Sequence, residues 1–195
     1  MNTEVYYLEE KNLHDVARAV SSRLRKGDIC IIPTDTVYGI VAIDDFQDAI
    51  RRIFEIKKRP PERRLIRLIG SLDAVCNYTE QKVPVALSKY WPGPLTIIFR
   101  DRVGGTVALR CPDDPFLRLI FREIDPEVLV APSANISGEE IITECDTLIR
   151  TFEGEVPLIV CLKKVLEGRQ ASTIIDISEK RWKVVRQGAL RIDVE

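Results

Sequence analysis

The amino-acid sequence predicts a single α/β domain built on a twisted, mostly mixed β-sheet flanked by helices. Three observations lead there. Short apolar runs rich in β-branched residues recur along the chain, bounded by Pro, Gly and Asp. Amphipathic segments, with apolar residues three and four apart, lie between them. The two kinds of segment do not alternate strictly, which favours a mixed sheet over a regular doubly wound parallel one. A length of 195 residues fits one domain over residues 1–195, with a core over roughly residues 10–191.

The elements follow in order. "VYYL" at residues 5–8 reads as a first strand. "LHDVARAVSSRLRKG" sets Leu13, Val16, Ala17, Val20 and Leu24 at helical spacing, with Gly27 as a stop. "DICIIP" is a buried strand, and "TVYGIVAI" at residues 36–43 continues as strand. "DFQDAIRRIFEIKKR" begins with an Asp cap and runs amphipathic until Pro60 and Pro61 end it. "RLIRLIG" is a strand and "PVALSKYW" a helical turn or two. "PLTIIF" and "TVALR" are strands flanking a "DRVGG" turn. "DPFLRLIFREI" is a helix, and "VLVAPS" is a buried strand leading into the polar turn "SANISGEE". A helix near "CDTLIRTF" precedes the strands in "PLIVCL", "STIIDIS" and "RWKVVRQG".

Composition narrows the function classes. With 45% hydrophobic and 30% charged residues, the chain is of the soluble globular kind. It is long enough to bury a core without disulfides or metals. A net charge of −1 gives no global attraction to nucleic acid or membrane, so any basic site must come from local clustering. The five cysteines form no CxxC pair and are odd in number, which reads as reduced thiols in a cytoplasmic protein. The single histidine, His14, lies in a helix, which argues against His-based catalysis and His-rich metal sites. No apolar run is long enough to span a membrane, and "MNTEVYYLEEKN" lacks a basic-then-apolar signal pattern.

Four features could carry chemistry, each with a plainer alternative. "PTDTVYG" follows a buried strand and offers Thr34, Asp35, Thr36 and Tyr38 as polar or stacking groups; it could equally be a strand corner with satisfied hydroxyls. "APSANISG" offers Ser133, Asn135 and Ser137 in a turn, or a helix cap with an Asx turn. Arg110 and Arg186 close strands, where a guanidinium can fork onto a carboxylate or phosphate or make an internal ion pair. "KKRPPERR" at residues 57–64 packs five cations around two prolines. It is a stiffened anion-binding loop or a solvated charge run. Neither GxxxxGK[ST] nor GxGxxG occurs, so side-chain cations would carry anion binding. Hydroxyls, an aromatic and several cations on strand ends suit the alignment of two anionic ligands for in-line attack.

The blocks "IIPTDTVYGIVA", "KKRP", "WPGPLTIIF", "TVALRCPDDP", "APSANISG", "STIIDIS" and "VVRQGAL" occur in this order over nearly the whole chain. The ordered set closely resembles the YrdC-like threonylcarbamoyl-adenylate synthases. The resemblance implies a YrdC-like fold with a basic concave face, of the short single-domain type. It implies that L-threonine, bicarbonate or CO2, and ATP give threonylcarbamoyl-AMP and pyrophosphate, with Mg2+ accompanying ATP and no dedicated protein cage for the metal. A partner transferase complex would then move the threonylcarbamoyl group to adenosine 37 of tRNA.

By motif position, the resemblance implies Lys57 and Arg59 as catalytic groups. It implies Arg59, Arg63, Thr106, Ser133, Asn135 and Arg186 around ATP, and Thr34, Arg110, Ala131 and Ser172 around L-threonine. Two departures stand out. Many members have Pro-Leu after the basic loop and a His beyond it, where this chain has Arg64, Leu65 and Leu68. Many have Ser-Pro-Thr where it has Ile141, Ile142 and Thr143. The competing reading is a non-catalytic module for tRNA or double-stranded RNA, supported only by local charge.

Overall fold

The structure, a computed structural model, describes residues 2–60, 62–166 and 168–193. Each apolar run read as a strand becomes one. β1 (Glu4–Leu8) leads into α1 (Leu13–Leu24), whose Val16, Ala17, Val20 and Leu24 stripe is buried. Gly27 then reverses the chain at φ 81°, a left-handed conformation that costs glycine nothing sterically. β2 (Cys30–Ile32) and β3 (Gly39–Ile43) follow. β3 starts three residues later than the sequence suggests, because the Thr34 hydroxyl donates to Val37 O (2.7 Å) and accepts from Thr36 N (3.2 Å), closing a turn.

α2 (Gln47–Ile56) corrects two expectations. Its N-cap is Phe46, with no side-chain cap bond, so the expected Asp cap does not form. Its C-terminus closes before the prolines. Lys58 takes φ 48°, Lys58 N donates to Glu55 O (3.0 Å), and Arg59 N donates to Phe54 O (2.9 Å). This paired closure around a left-handed residue is a Schellman motif. Pro60 comes after the stop, and Pro61 lies outside the described residues.

β4 (Arg67–Ile69) is followed by a 3-10 turn at Leu72–Asn77 and by α3 (Val85–Ser88). β5 (Leu95–Arg100) and β6 (Thr106–Arg110) form an antiparallel hairpin. α4 (Pro115–Phe121) starts with proline at its first turn, and the Asp114 carboxylate accepts from Leu117 N at 2.9 Å, the cap geometry that favours Asp. β7 (Val128–Val130), α5 (Cys145–Phe152), β8 (Leu158–Leu162), β9 (Thr173–Asp176) and β10 (Lys183–Arg186) complete the chain.

The strands make one mixed sheet in the order β1-β8-β2-β3-β7-β4-β6-β5-β9-β10. β1 pairs in parallel with β8 over its full length, so the core reaches further toward the N-terminus than residue 10. Alternation assigns each strand's faces. Val20, Leu24, Leu117 and Ile120 of α1 and α4 pack with Cys30, Val41, Leu129 and Leu158. Ile53, Leu148 and Phe152 of α2 and α5 pack with Ile31, Ile40 and Ile159. Leu95, Ile97, Phe99, Val107, Leu109 and Ile175 form a third cluster with Leu87 and Trp91. No helix is long and apolar enough to cross a membrane among the described residues.

The structure also corrects the reading of the cysteines. Cys145, in the first turn of α5, is disulfide-bonded to Cys161 of β8, with a Cα–Cα distance of 5.5 Å. Cys30, Cys76 and Cys111 are free. Spacing along the chain carried no sign of this pair; packing of α5 on β8 brings it together. With a separation of 16 residues, chain entropy predicts that reduction lowers the unfolding free energy by about 3 kcal/mol. Denaturant melts with and without reductant test this, alongside Cys145→Ser. Coincident midpoints would show that the pair does not crosslink the protein in solution.

Candidate active site

Alternation along β5, β6 and β9 turns Ile98, Thr106, Ala108, Arg110 and Ile174 away from the third cluster. With Gly39 of β3, Leu68 of β4, and Ala131 and Pro132 beyond β7, these side chains border a cavity of 210 Å³. Small residues on adjacent strands leave the space, and cations edge it. Thr34, Arg59, Thr106, Arg110, Ala131, Ser133, Ser172 and Arg186, expected at the site from the sequence, all line it.

Arg110 is only 5% exposed. Its Nη1 donates to Thr36 Oγ1 (2.8 Å), its Nε to Gly93 O (3.3 Å), and its Nη2 pairs with Asp35. Burial pulls its pKa down, and the Asp35 and Asp114 carboxylates oppose that. A buried guanidinium is tolerated when paired in this way. The internal ion pair left open by the sequence is thus present, and its acid comes from "PTDTVYG" itself. The role of Asp35 and Thr36 as anchors for Arg110 was missed. Their place in the same motif as Thr34 was the available signal.

Arg186 lies over Ser172, donating from Nε to Ser172 O (3.0 Å) and from Nη2 to Ser172 Oγ (3.2 Å). Ser172 Oγ also shares a hydrogen bond with Thr96 Oγ1 (2.8 Å). Arg59 donates to Arg63 O (3.2 Å) and Arg64 O (3.0 Å). Among the described residues, neither Arg59 nor Arg186 has a carboxylate partner. Burial lowers the pKa of both; Arg63 adds to this at Arg59, and Arg59 adds to it at Arg186. Like charges around one concavity, Arg59 partly buried and Arg186 exposed at its edge, leave a positive field that an anion relieves. Tyr38 borders the cavity, but its ring packs in the second core cluster and its hydroxyl accepts from Leu162 N at 2.9 Å; burial raises its pKa.

Three expected residues are placed elsewhere. The Lys57 ammonium is not on the cavity wall. It lies beneath the loop after β7, donating to Ser133 O (2.5 Å), Asn135 O (2.6 Å) and Asn135 Oδ1 (3.3 Å). The Schellman turn directs it there. Asn135, 8% exposed, accepts from Ser133 Oγ (2.6 Å) and donates to Glu139 O (2.7 Å), so it shapes the loop. Arg63 is exposed and contributes its carbonyl to Arg59. Conversely, Arg64 and Leu68 line the cavity. Leu68 makes part of its apolar wall.

Lys57 yields two expectations. Lys57→Ala removes the donor shared by three acceptors; Ser133 O keeps Asn135 N and Asn135 Oδ1 keeps Ser133 Oγ, so Asn135 O is the one left unsatisfied, at a cost of about 1–3 kcal/mol. Its effect is therefore loss of stability and of loop order. Burial, followed by the nearby Arg59 charge, brings the Lys57 pKa from 10.5 down to about 8. Between these values the unfolded chain binds the proton and the folded protein does not, so the Lys57 contribution to stability rises with pH across that window. Denaturant titrations from pH 7 to 11 on wild type and Lys57→Met would read this as a slope that the variant lacks.

Residues 22–188 match the Sua5/YciO/YrdC family profile, described as "Telomere recombination". The chain is 33% identical to the threonylcarbamoyl-AMP synthase of Pyrococcus abyssi over 90% of its own length and 55% of that protein's. It is 29% identical to a Methanocaldococcus jannaschii relative over 97% of this chain and 93% of the relative. It thus spans about half of the first relative and nearly all of the second. The crystal structure of P. abyssi Sua5 complexed with L-threonine superposes with a TM-score of 0.79 and 28% identity, covering 97% of this chain and 57% of that one. A match over most of the chain, on the same sheet that carries the cavity, makes this protein a member of the Sua5/YciO/YrdC family.

Proposed function

We propose that this chain is an L-threonylcarbamoyladenylate synthase, forming threonylcarbamoyl-AMP and pyrophosphate from L-threonine, bicarbonate or CO2, and ATP. One observation carries the reading. Among the described residues, Arg59 and Arg186 border one cavity without acid partners, while Arg110 on the same wall is buried and already neutralised by Asp35. Such a site favours ligands that bring more than one negative charge. The L-threonine held by the P. abyssi structure and the activity named for its relative support threonine as the amine substrate.

The chemistry fits these groups. The threonine amine attacks the carbon of CO2, forms an N–C bond and releases a proton to solvent. A carbamate oxygen then attacks the α-phosphorus of ATP, and pyrophosphate leaves with the bond electrons. Carboxylate, carbamate and triphosphate repel one another. Arg59 and Arg186 would offset that repulsion and hold the attack in line, so catalysis is positioning plus charge neutralisation. Thr34, Ala131 and Ser172 would frame the amino acid beside Arg110, and Thr106 and Ser133 would border the nucleotide. Mg2+ would arrive on the ATP phosphates. The product would pass in the cytoplasm to a transferase complex acting on adenosine 37 of tRNA.

Pyrophosphate release from ATP and bicarbonate, with L-threonine, with serine and with neither, tests the reading. Threonine-dependent release is expected. Arg59→Ala and Arg186→Ala, with unchanged circular dichroism, should each lose about 10²–10³-fold, as for other charge donors to a developing anion. Salt-dependent RNA binding without pyrophosphate release would replace the synthase by an RNA-binding module.

A further inference from the structure

Arg64 stands apart from the other cations of the basic segment. It lines the main cavity and also an adjoining groove that contains Asp44, Arg67, Tyr78 and Asp101. Leu65 and Thr106 are likewise shared by both hollows, so these three residues form the ridge between them. Two bonds meet at Arg64. Its carbonyl accepts from the Arg59 guanidinium at 3.0 Å. Its own Nη1 reaches Asp101 Oδ2 at 3.3 Å across the ridge.

Asp101 is a prepared receptor. It directly follows β5, and its Oδ1 accepts from Val103 N (3.0 Å) and Gly105 N (2.6 Å). That oxygen orders the turn into β6, and the other remains for Arg64. The neighbouring Arg102 is directed to Glu80 instead, at 3.7 Å. Gly105 sits against the pair. A Cβ there would lie 2.6 Å from Arg64 Nη2 and 2.7 Å from Asp101 Oδ2. Gly104 takes the left-handed backbone at φ 90°, whereas Gly105 does not. The absence of a side chain at 105 therefore makes room for the ion pair.

We propose that Arg64 is a positioning residue: its ion pair with Asp101 ties the basic segment to the β5–β6 turn and holds the Arg59 guanidinium at the cavity rim for the polyphosphate of a nucleotide. The proposal rests on ATP being the ligand of this cavity. Half-exposed ion pairs contribute little to stability, so the consequence lies in ligand geometry and not in the fold. Arg59 supplies the contact to the anion, and Arg64 fixes the backbone carbonyl on which Arg59 rests.

The test measures ATP affinity by calorimetry, and the KM for ATP and for threonine, in wild type, Arg64→Ala, Arg64→Lys and Gly105→Ala. Losing the pair should weaken ATP binding by about two- to fivefold and leave the threonine KM unchanged. Arg64→Lys should recover most of the loss. Gly105→Ala, which removes no charge but displaces Arg64, should reproduce Arg64→Ala. Wild-type ATP affinity in Arg64→Ala or Gly105→Ala would overturn the proposal, as would ATP and threonine constants that move together. If wild type binds ATP but releases no pyrophosphate with threonine, the synthase reading falls while the latch is still judged on ATP affinity. If wild type binds no ATP, both fall.

Discussion

A buried ammonium holds the site together. Lys57 is 1% exposed, and a charge so placed must be satisfied or expelled. Its acceptors are carbonyl and amide oxygens of the loop after β7. Around it, Ser137 N donates back to Lys57 O at 2.9 Å, Ala134 N donates to Tyr38 O at 2.7 Å, and Ser133 bridges Gly39. The end of α2, the loop after β7 and the start of β3 therefore form one unit. The turn at Lys58 makes this possible, because closing the helix there sends the Lys57 side chain inward.

Charge is distributed in two ways over the same cavity. Arg110 is deep and internally paired, so it serves as a rigid wall. Arg59 is partly buried and Arg186 exposed, and both are held by carbonyls and a hydroxyl. Carbonyl dipoles orient a guanidinium without cancelling its charge, which keeps it available to an anion. This explains how a chain with a net charge of −1 can present a strongly basic concavity: the acids that balance the total lie mostly at the surface, in pairs such as Arg18–Asp15 and Arg52–Glu155.

Much of the architecture was legible in the sequence, because strand alternation and helical spacing are local signals. "PLTIIF" and "TVALR" announced their strands, and strand alternation then puts Ala108 and Arg110 on the cavity side. The ends of elements were less legible. The stop of α2 looked like a proline effect and is a Schellman closure at Lys58. The Asp cap before α2 was absent, whereas Asp114 does cap α4. In the site, the motif blocks located most of the cavity wall. They did not reveal that the Lys57 ammonium lies beneath the loop after β7, because a run of cations reads alike whether its members face a ligand or a loop.

The sequence by itself determined the fold class, the strands that carry the cavity and the residue types that edge it, since periodicity and motif order are properties of the chain alone. Only the tertiary structure decided which cations keep their charge available. Asp35 reaches Arg110 from 75 residues away, Ser133 and Asn135 take Lys57, and Asp101 takes Arg64. It also decided that Cys145 meets Cys161. The physical reason is common to all four: an ion pair, a hydrogen bond or a crosslink depends on where two groups end in space, and sequence separation does not encode that distance.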